Sequence, residues 1–307
     1  VIVDLLAGAV PQPEAFALSE AVTLGRLRGY AEHFGGGPEP ARTHAEVGAR
    51  WESAREAAEK RAPTPDEFFA MLDDGGIGLA GVYTESFGSR LGVPTAGNDV
   101  VADFVARAPD RVLGFAGVDP WEADAPRVVD HAVSGLGLHG VVVSPFKQGL
   151  GADDPRMLRV YARCEALGVP VLLHTGINWS LDAAYDVGHP RHVDAVATAF
   201  PDLRLVALHA GWPWVQDMLM VAWRHRHVYV DLSAHRPRTF TRPGSGWEPL
   251  LALGARQLAD RVLFASTWTL LGIPPAILVA EVRDLPLPDG VADRWLGQNA
   301  LRLLGRD

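Results

Sequence analysis

A single cysteine, Cys164, leaves this chain of 307 residues without any internal disulfide, so its fold rests on an apolar core. No apolar run reaches the roughly 18 residues that a membrane-spanning helix needs, which argues against a membrane partner. Basic residues are the minority: 28 Lys and Arg stand against 37 Asp and Glu, a net charge of −9, with the acids scattered along the chain. That balance disfavours nucleic acid and anionic lipid as partners. No basic and then apolar leader precedes the first hydrophobic run, and with one thiol the expected compartment is the cytoplasm. Low-complexity tracts, short repeats and domain linkers are all missing.

What the chain does have is a rhythm. Hydrophobic residues make up 48% of it, enough for one large core. Short apolar runs at Val1–Leu5, Ile77–Tyr83, Val112–Val118, Gly140–Ser144, Val169–His174, Leu203–His209, Val228–Leu232 and Val262–Ser266 alternate with amphipathic stretches. From the second onward they recur roughly every 25 to 35 residues, the spacing of a strand followed by a crossover helix. Helices are expected at Asn98–Ala108, Asp124–Leu136, Asp153–Leu167, Pro190–Phe200, Pro213–His225 and Trp247–Leu258. The third opens with Asp153-Asp154-Pro155 and is followed by Gly168, a Pro-first, Gly-last pattern. Continuous apolar strands with half-polar helices predict an α/β fold, a (β/α)8 TIM barrel, with 1–307 as one domain. Residues 10–75 are too long for one crossover and carry a charged helix-like stretch, Thr43–Arg61, before a break at Pro63 and Pro65. They read as an insertion after strand one, lying over the barrel mouth; an elaboration of the exterior fits the sequence equally well. Gly35-Gly36-Gly37 reads as a loop, because no strand precedes it and no helix opens after it.

In such a barrel the active site lies at the C-terminal ends of the strands, so polar residues there are the candidates. They are Glu85, Asp119, Ser144, Lys147, His174, His209, the segment from Asp231 to Arg236, and Thr267. His174 and His209 stand out, because each ends an apolar run and precedes a glycine turn. A lone histidine on such a run is ordinarily a satisfied core residue; two on successive strands favour a shared site. Trp179, Trp212, Trp214 and Trp268 follow the strand ends closely, placed either to stack on a flat substrate or to pack the mouth. His235, Arg236 and Arg238 either receive a substrate acid group or form a solvated basic turn. Asp231 is expected to point into the barrel wall or to bond backbone, with contact to substrate as the lesser alternative. Asp182, Asp186, His189 and His192 sit on the loop after strand five with no motif behind them, and Cys164 reads as a small buried helix residue.

An ordered set of segments resembles one family. Val3-Asp4, Gly117-Val-Asp-Pro120, Gly140-Val-Val-Val-Ser-Pro145, Gly168-Val-Pro-Val-Leu-Leu-His174-Thr-Gly176, Phe200 to Gly211, Val228-Tyr-Val-Asp-Leu-Ser233, Asp260 to Ser266 and Gly297 to Gly305 together are similar to the amidohydrolase superfamily. The nearest likeness is to its amidohydrolase-related branch, which includes aminocarboxymuconate-semialdehyde decarboxylase, resorcylate-type decarboxylases and lactone hydrolases. The resemblance implies a divalent metal held by His-x-His after strand one, a histidine after strand five and an aspartate after strand eight. The strand-six histidine is then an acid/base or a further ligand. Position by position, His174 matches the strand-five ligand and His209 the strand-six histidine, while Leu6, Gly8 and Thr267 replace the rest.

A catalytic zinc site ordinarily takes about three protein ligands. With two left, the expectation is no metal and no cofactor. The surviving pair of imidazoles would carry acid–base chemistry on a small or medium organic molecule: hydrolysis, decarboxylation, isomerisation or cyclisation. Two alternatives stay open: a silent barrel that binds a ligand or partner, and a metal enzyme with substitute ligands such as Glu85 or Asp119. The likeness also implies a homodimer.

Overall fold

The computed structural model describes residues 1–22 and 41–306, so Gly35-Gly36-Gly37 lies outside the described residues. Eight parallel strands follow one another in chain order: β1 (Ile2–Ala9), β2 (Ile77–Tyr83), β3 (Val112–Gly117), β4 (Gly140–Val143), β5 (Val171–His174), β6 (Leu205–Leu208), β7 (Val228–Asp231) and β8 (Val262–Leu263). Two backbone hydrogen bonds bring the last strand back to the first: Leu5 N donates to Phe264 O at 3.0 Å and Thr267 N to Leu6 O at 2.9 Å. The architecture is the expected TIM barrel.

Strand parity decides which side chains reach the barrel axis. Leu79, Leu113, Phe115, Val142, Leu172, Val206, Tyr229 and Leu263 form the packed interior. Their neighbours Ala80, Val112, Val141, Val171, Leu205, Val228 and Val262 belong to the layer between strands and helices. Extending the inward parity past the strand ends gives Glu85, Ser144, His174, Asp231 and Thr267, so one periodicity supplies both the core and the polar floor of the mouth.

β1 differs from its expected span of Val1–Leu5. It runs on to Ala9, buried almost throughout, because Leu6–Ala9 are apolar or small and can stay in the wall. The crossover to β2 is the helix Pro65–Asp74, opened by a reciprocal capping box between Thr64 and Glu67. It lies inside the 10–75 stretch. Ahead of it, the helices Pro13–Val22 and His44–Arg61 contribute Phe16, Leu18, Val47 and Trp51 to a separate cluster with Phe87, Leu91, Phe146 and Trp179, residues of the loops at the strand ends. The expected helix Trp247–Leu258 is reduced to a short turn of π-helix, Leu250–Gly254.

Cys164 is buried on the helix Pro155–Leu167, and burial pushes its thiol up to about 12, which makes it chemically quiet.

Candidate active site

A cavity of about 140 Å³ opens at the C-terminal ends of the strands. That size accommodates roughly one six-membered ring. Glu85, Lys147, His174, His209, His235 and Thr267 belong to its polar lining, and Glu14, Leu18 and Trp51 reach it from the helices ahead of the β1–β2 crossover.

His174 is the last residue of β5 and points inward with Leu172; its ring lies 4.6 Å from Phe146 and 4.8 Å from His209. His209 arrives by a different route. β6 ends at Leu208, which is already an inward residue, so strict alternation would send residue 209 outward. Instead the chain leaves the strand with His209 at φ 65°, and the left-handed turn swings the ring into the cavity. Among the described residues, the non-glycine positions with positive φ are His209, Ala210, Ala234 and Thr267, and three of these line the cavity. Backbone strain is thus gathered at the mouth, where the surrounding barrel can hold it.

Behind His209 stands a hydrogen-bonded chain. Its Nδ1 lies 3.0 Å from the Ser233 carbonyl oxygen and 2.8 Å from Ser233 Oγ. Ser233 Oγ donates to Asp231 Oδ1 at 2.6 Å, and the same oxygen accepts the backbone N–H groups of His209 (2.6 Å) and Ser233 (3.2 Å). Asp231 therefore bonds backbone as expected, and it also couples to the histidine through Ser233. Ser233 lay in the candidate segment without an assigned role; its signal is its place two residues past the strand-ending aspartate.

Burial sets the charges. His209 is pushed down to about 4 by burial, against the upward pull of the Ser233 carbonyl. His174 is held well below the ordinary range by burial, then by His209 and Lys147. His235 is likewise depressed by burial and His209. All three rings are neutral near pH 7. Asp231 rises to about 7 through burial, opposed by the Ser233 and His209 hydrogen bonds. Asp4, buried beside Ser266, rises to about 6 for the same reason.

Across the cavity Lys147 Nζ donates to Glu85 Oε2 at 2.5 Å and Ser144 Oγ donates to Glu85 Oε1 at 2.5 Å. The pair is nearly buried, with side-chain exposures of 8% and 12%.

Other candidates fall elsewhere. Trp179 and Trp212 line the cavity, and the Trp212 indole N–H donates to Ser245 O at 2.9 Å. Trp268 does not line it: Thr267 takes a left-handed conformation at the start of a helical turn, and the next side chain packs against Phe68, 5.9 Å away. Arg236 is turned from the cavity into an ion pair with Glu281, which Arg238 also approaches at 3.9 Å, so the expected carboxylate clamp is already filled by the protein. Trp214 meets Tyr185 edge-on and His189 at a tilt. Asp119 accepts from Ser89 N and Trp121 N. Asp182 accepts from His44 N, Asp186 pairs with Arg191, and His192 with Asp153. Tyr83 and Phe146, in the cavity wall, carried no sequence signal beyond inward parity and loop position.

A family profile described as amidohydrolase matches residues 41–306. This chain belongs to the amidohydrolase family. Gamma-resorcylate decarboxylase from Rhodococcus jostii (strain RHA1) is 29% identical over 211 residues, covering 56% of this chain and 64% of that enzyme, so the alignment spans less than two thirds of it. Among solved structures, a TIM-barrel protein from Bordetella bronchiseptica is 22% identical with a TM-score of 0.77, covering 99% of this chain and 98% of its own. A 5-carboxyvanillate decarboxylase from Novosphingobium aromaticivorans, crystallised with manganese and 4-hydroxy-3-methoxy-5-nitrobenzoic acid, is 16% identical with a TM-score of 0.66, covering 99% of this chain and 96% of its own. At these identities the structures establish a common fold.

The described residues of this chain do not fit the cation that the family resemblance implies. Leu6 is buried in the barrel, 2% exposed. A Cβ at Gly8 would stand 1.8 Å from Thr269 Oγ1, and the backbone there has φ +152°, so no ligand side chain has room. Thr267 Oγ1 is committed, accepting from Ala234 N at 2.7 Å and donating to Ser266 O at 2.8 Å. Both oxygens of Glu85 are engaged, and Asp119 caps a loop. Among the described residues, no group of three or more His, Cys, Asp or Glu is placed to hold a metal ion, and no helix is long and apolar enough to cross a membrane.

Proposed function

We propose that the protein is an enzyme that moves protons on a small, ring-sized organic substrate with His209 and His174, without a divalent metal. The observation that carries this reading is the contact between His209 Nδ1 and the Ser233 carbonyl. A carbonyl oxygen only accepts, so Nδ1 holds the hydrogen and Nε2 keeps its lone pair. His209 is then the base. As Nε2 takes a proton, the ring becomes cationic, and the Ser233–Asp231 chain lies where it stabilises that charge. The electron pair released on the substrate goes to its oxygen, and the imidazolium formed on His209 offsets that negative charge. His174, 4.8 Å from His209, is placed to take that proton from His209 and return it to the substrate.

Isomerisation, cyclisation and hydrolysis by a histidine-activated water all belong to this class. Decarboxylation, named in the curated relatives, does too. Residues 10–75 are read as an insertion over the barrel mouth, a reading supported by Glu14, Leu18 and Trp51 of its described helices, which line the cavity. The test uses chelator-treated protein and a panel of enolisable ketones, phenols, lactones and hydroxybenzoates, followed by deuterium exchange and turnover in NMR. Activity should survive chelation and fall about 100-fold or more in His209→Ala. Activity that returns only with added manganese or zinc rules the proposal out.

A further inference from the structure

We infer that the cavity selects an uncharged ring compound, such as an enolisable ketone, a lactone or a phenol, and discriminates against carboxylates. This rests on the acid–base reading above and narrows its substrate class.

The charge inventory of the lining carries the inference. Among the described lining residues the sole cation is Lys147, and the acids are Glu85 and Glu14. Lys147 is already matched: its ammonium meets Glu85 Oε2 at 2.5 Å inside a nearly buried pair, while Ser144 takes the other carboxylate oxygen. The arginines that the sequence offers at the strand-seven loop are spent on Glu281. Beside these groups stand three uncharged imidazoles and apolar walls that include Val142, Phe146, Trp179 and Leu208. An entering carboxylate would give up its hydration, meet no unpaired cation among the described lining residues, and approach Glu85. Burial of an anion on those terms is strongly unfavourable, whereas a neutral ring loses only weak hydration.

The same arrangement suits a neutral substrate that becomes charged only while it reacts. When His209 Nε2 removes a proton from the carbon beside a carbonyl, the C–H electron pair moves into the enolate and its oxygen becomes anionic. Imidazolium and enolate then arise together as adjacent opposite charges, the imidazolium backed by Ser233 and Asp231. Delivery of the proton to another carbon collapses the enolate and restores both partners, so no co-reactant is needed. Interactions that appear only with the developing charges speed the step instead of tightening ground-state binding.

The experiment compares two probes of matched shape, 2,6-dihydroxybenzamide and 2,6-dihydroxybenzoate, by calorimetry on chelator-treated full-length protein near neutral pH. The amide should bind at least about ten-fold tighter than the carboxylate. Glu85→Gln retains an acceptor for Ser144 but removes the compensating charge, and it should raise carboxylate affinity until the preference vanishes or reverses. Equal or tighter binding of the carboxylate by the wild type overturns the inference, as does failure of both probes to bind. If Glu85→Gln does not fold, the wild-type pair alone decides. Because binding is read without turnover, a neutral-selective cavity that catalyses no exchange would defeat the enzymatic reading and leave the selectivity standing.

Discussion

His209 Nδ1 lies 3.0 Å from the carbonyl oxygen of Ser233, and this contact fixes which ring nitrogen meets the cavity. Because burial keeps the ring neutral, the tautomer is as decisive as the position. In protein labelled at histidine, nitrogen NMR should show His209 protonated at Nδ1 and bare at Nε2 throughout the neutral range. A hydrogen on Nε2 would leave the site without its base.

Acid should weaken the fold through the histidines. The free imidazole titrates near 6.5, whereas His209 in the fold titrates at about 4, and His174 and His235 are also depressed. Between those values the unfolded chain binds protons that the folded chain refuses, so this contribution is complete above 6.5 and is lost as pH falls toward 4. Replacing His235 with Phe should flatten the acid limb of stability measured by urea unfolding. An unchanged limb would mean that the ring is not buried as neutral imidazole.

Asp231 works in the opposite sense. Its carboxyl is raised from 3.8 to about 7, so the folded state holds a proton that the unfolded state has released, and stability from this group is lost as pH rises through that window. Asp231→Asn removes the dependence. The stability of the variant relative to wild type should improve by about 4 kcal/mol from pH 4 to pH 8, at about 1.4 kcal/mol per pH unit across the shifted range. Parallel curves would refute the raised carboxyl.

Restoring the family's ligands should not restore a metal. Gly8→His places a Cβ against Thr269 Oγ1 at a backbone angle suited to glycine, and should cost about 2 kcal/mol or more in unfolding experiments. Leu6→His with Thr267→Asp, leaving Gly8 alone, should bind zinc substoichiometrically by elemental analysis. Stoichiometric zinc in that double variant would show that the wall yields more than its packing implies.

Arg236 holds the fold, not the ligand. Arg236→Ala leaves Glu281, 9% exposed, without its nearest partner and should cost about 3 kcal/mol. Ring-probe affinity should be unchanged. A large loss of affinity with little loss of stability would return Arg236 to the site.

Hydrophobic alternation and the spacing of turns made the barrel legible, because a parallel strand buried on both faces has to be apolar and a crossover has to be long. Position at the C-terminal strand ends likewise marked Glu85, Ser144, His174 and Thr267. Trp268 and Arg236 were misplaced because a left-handed turn at Thr267 and a distant acid at Glu281 set their directions, and neither is encoded nearby in the chain. Ser233 was inconspicuous for the same reason: its partner His209 is 24 residues away in sequence.

The sequence by itself determined the strand–helix alternation, the two strand-end histidines and the replacement of the early ligands by Leu6 and Gly8, since these depend on residue type and short-range order. The tertiary structure decided that His209 swings inward at φ 65°, that Lys147 is neutralised by Glu85, and that the rings are uncharged. Those outcomes depend on burial and on contacts between segments far apart in the chain, and only closing the barrel creates them.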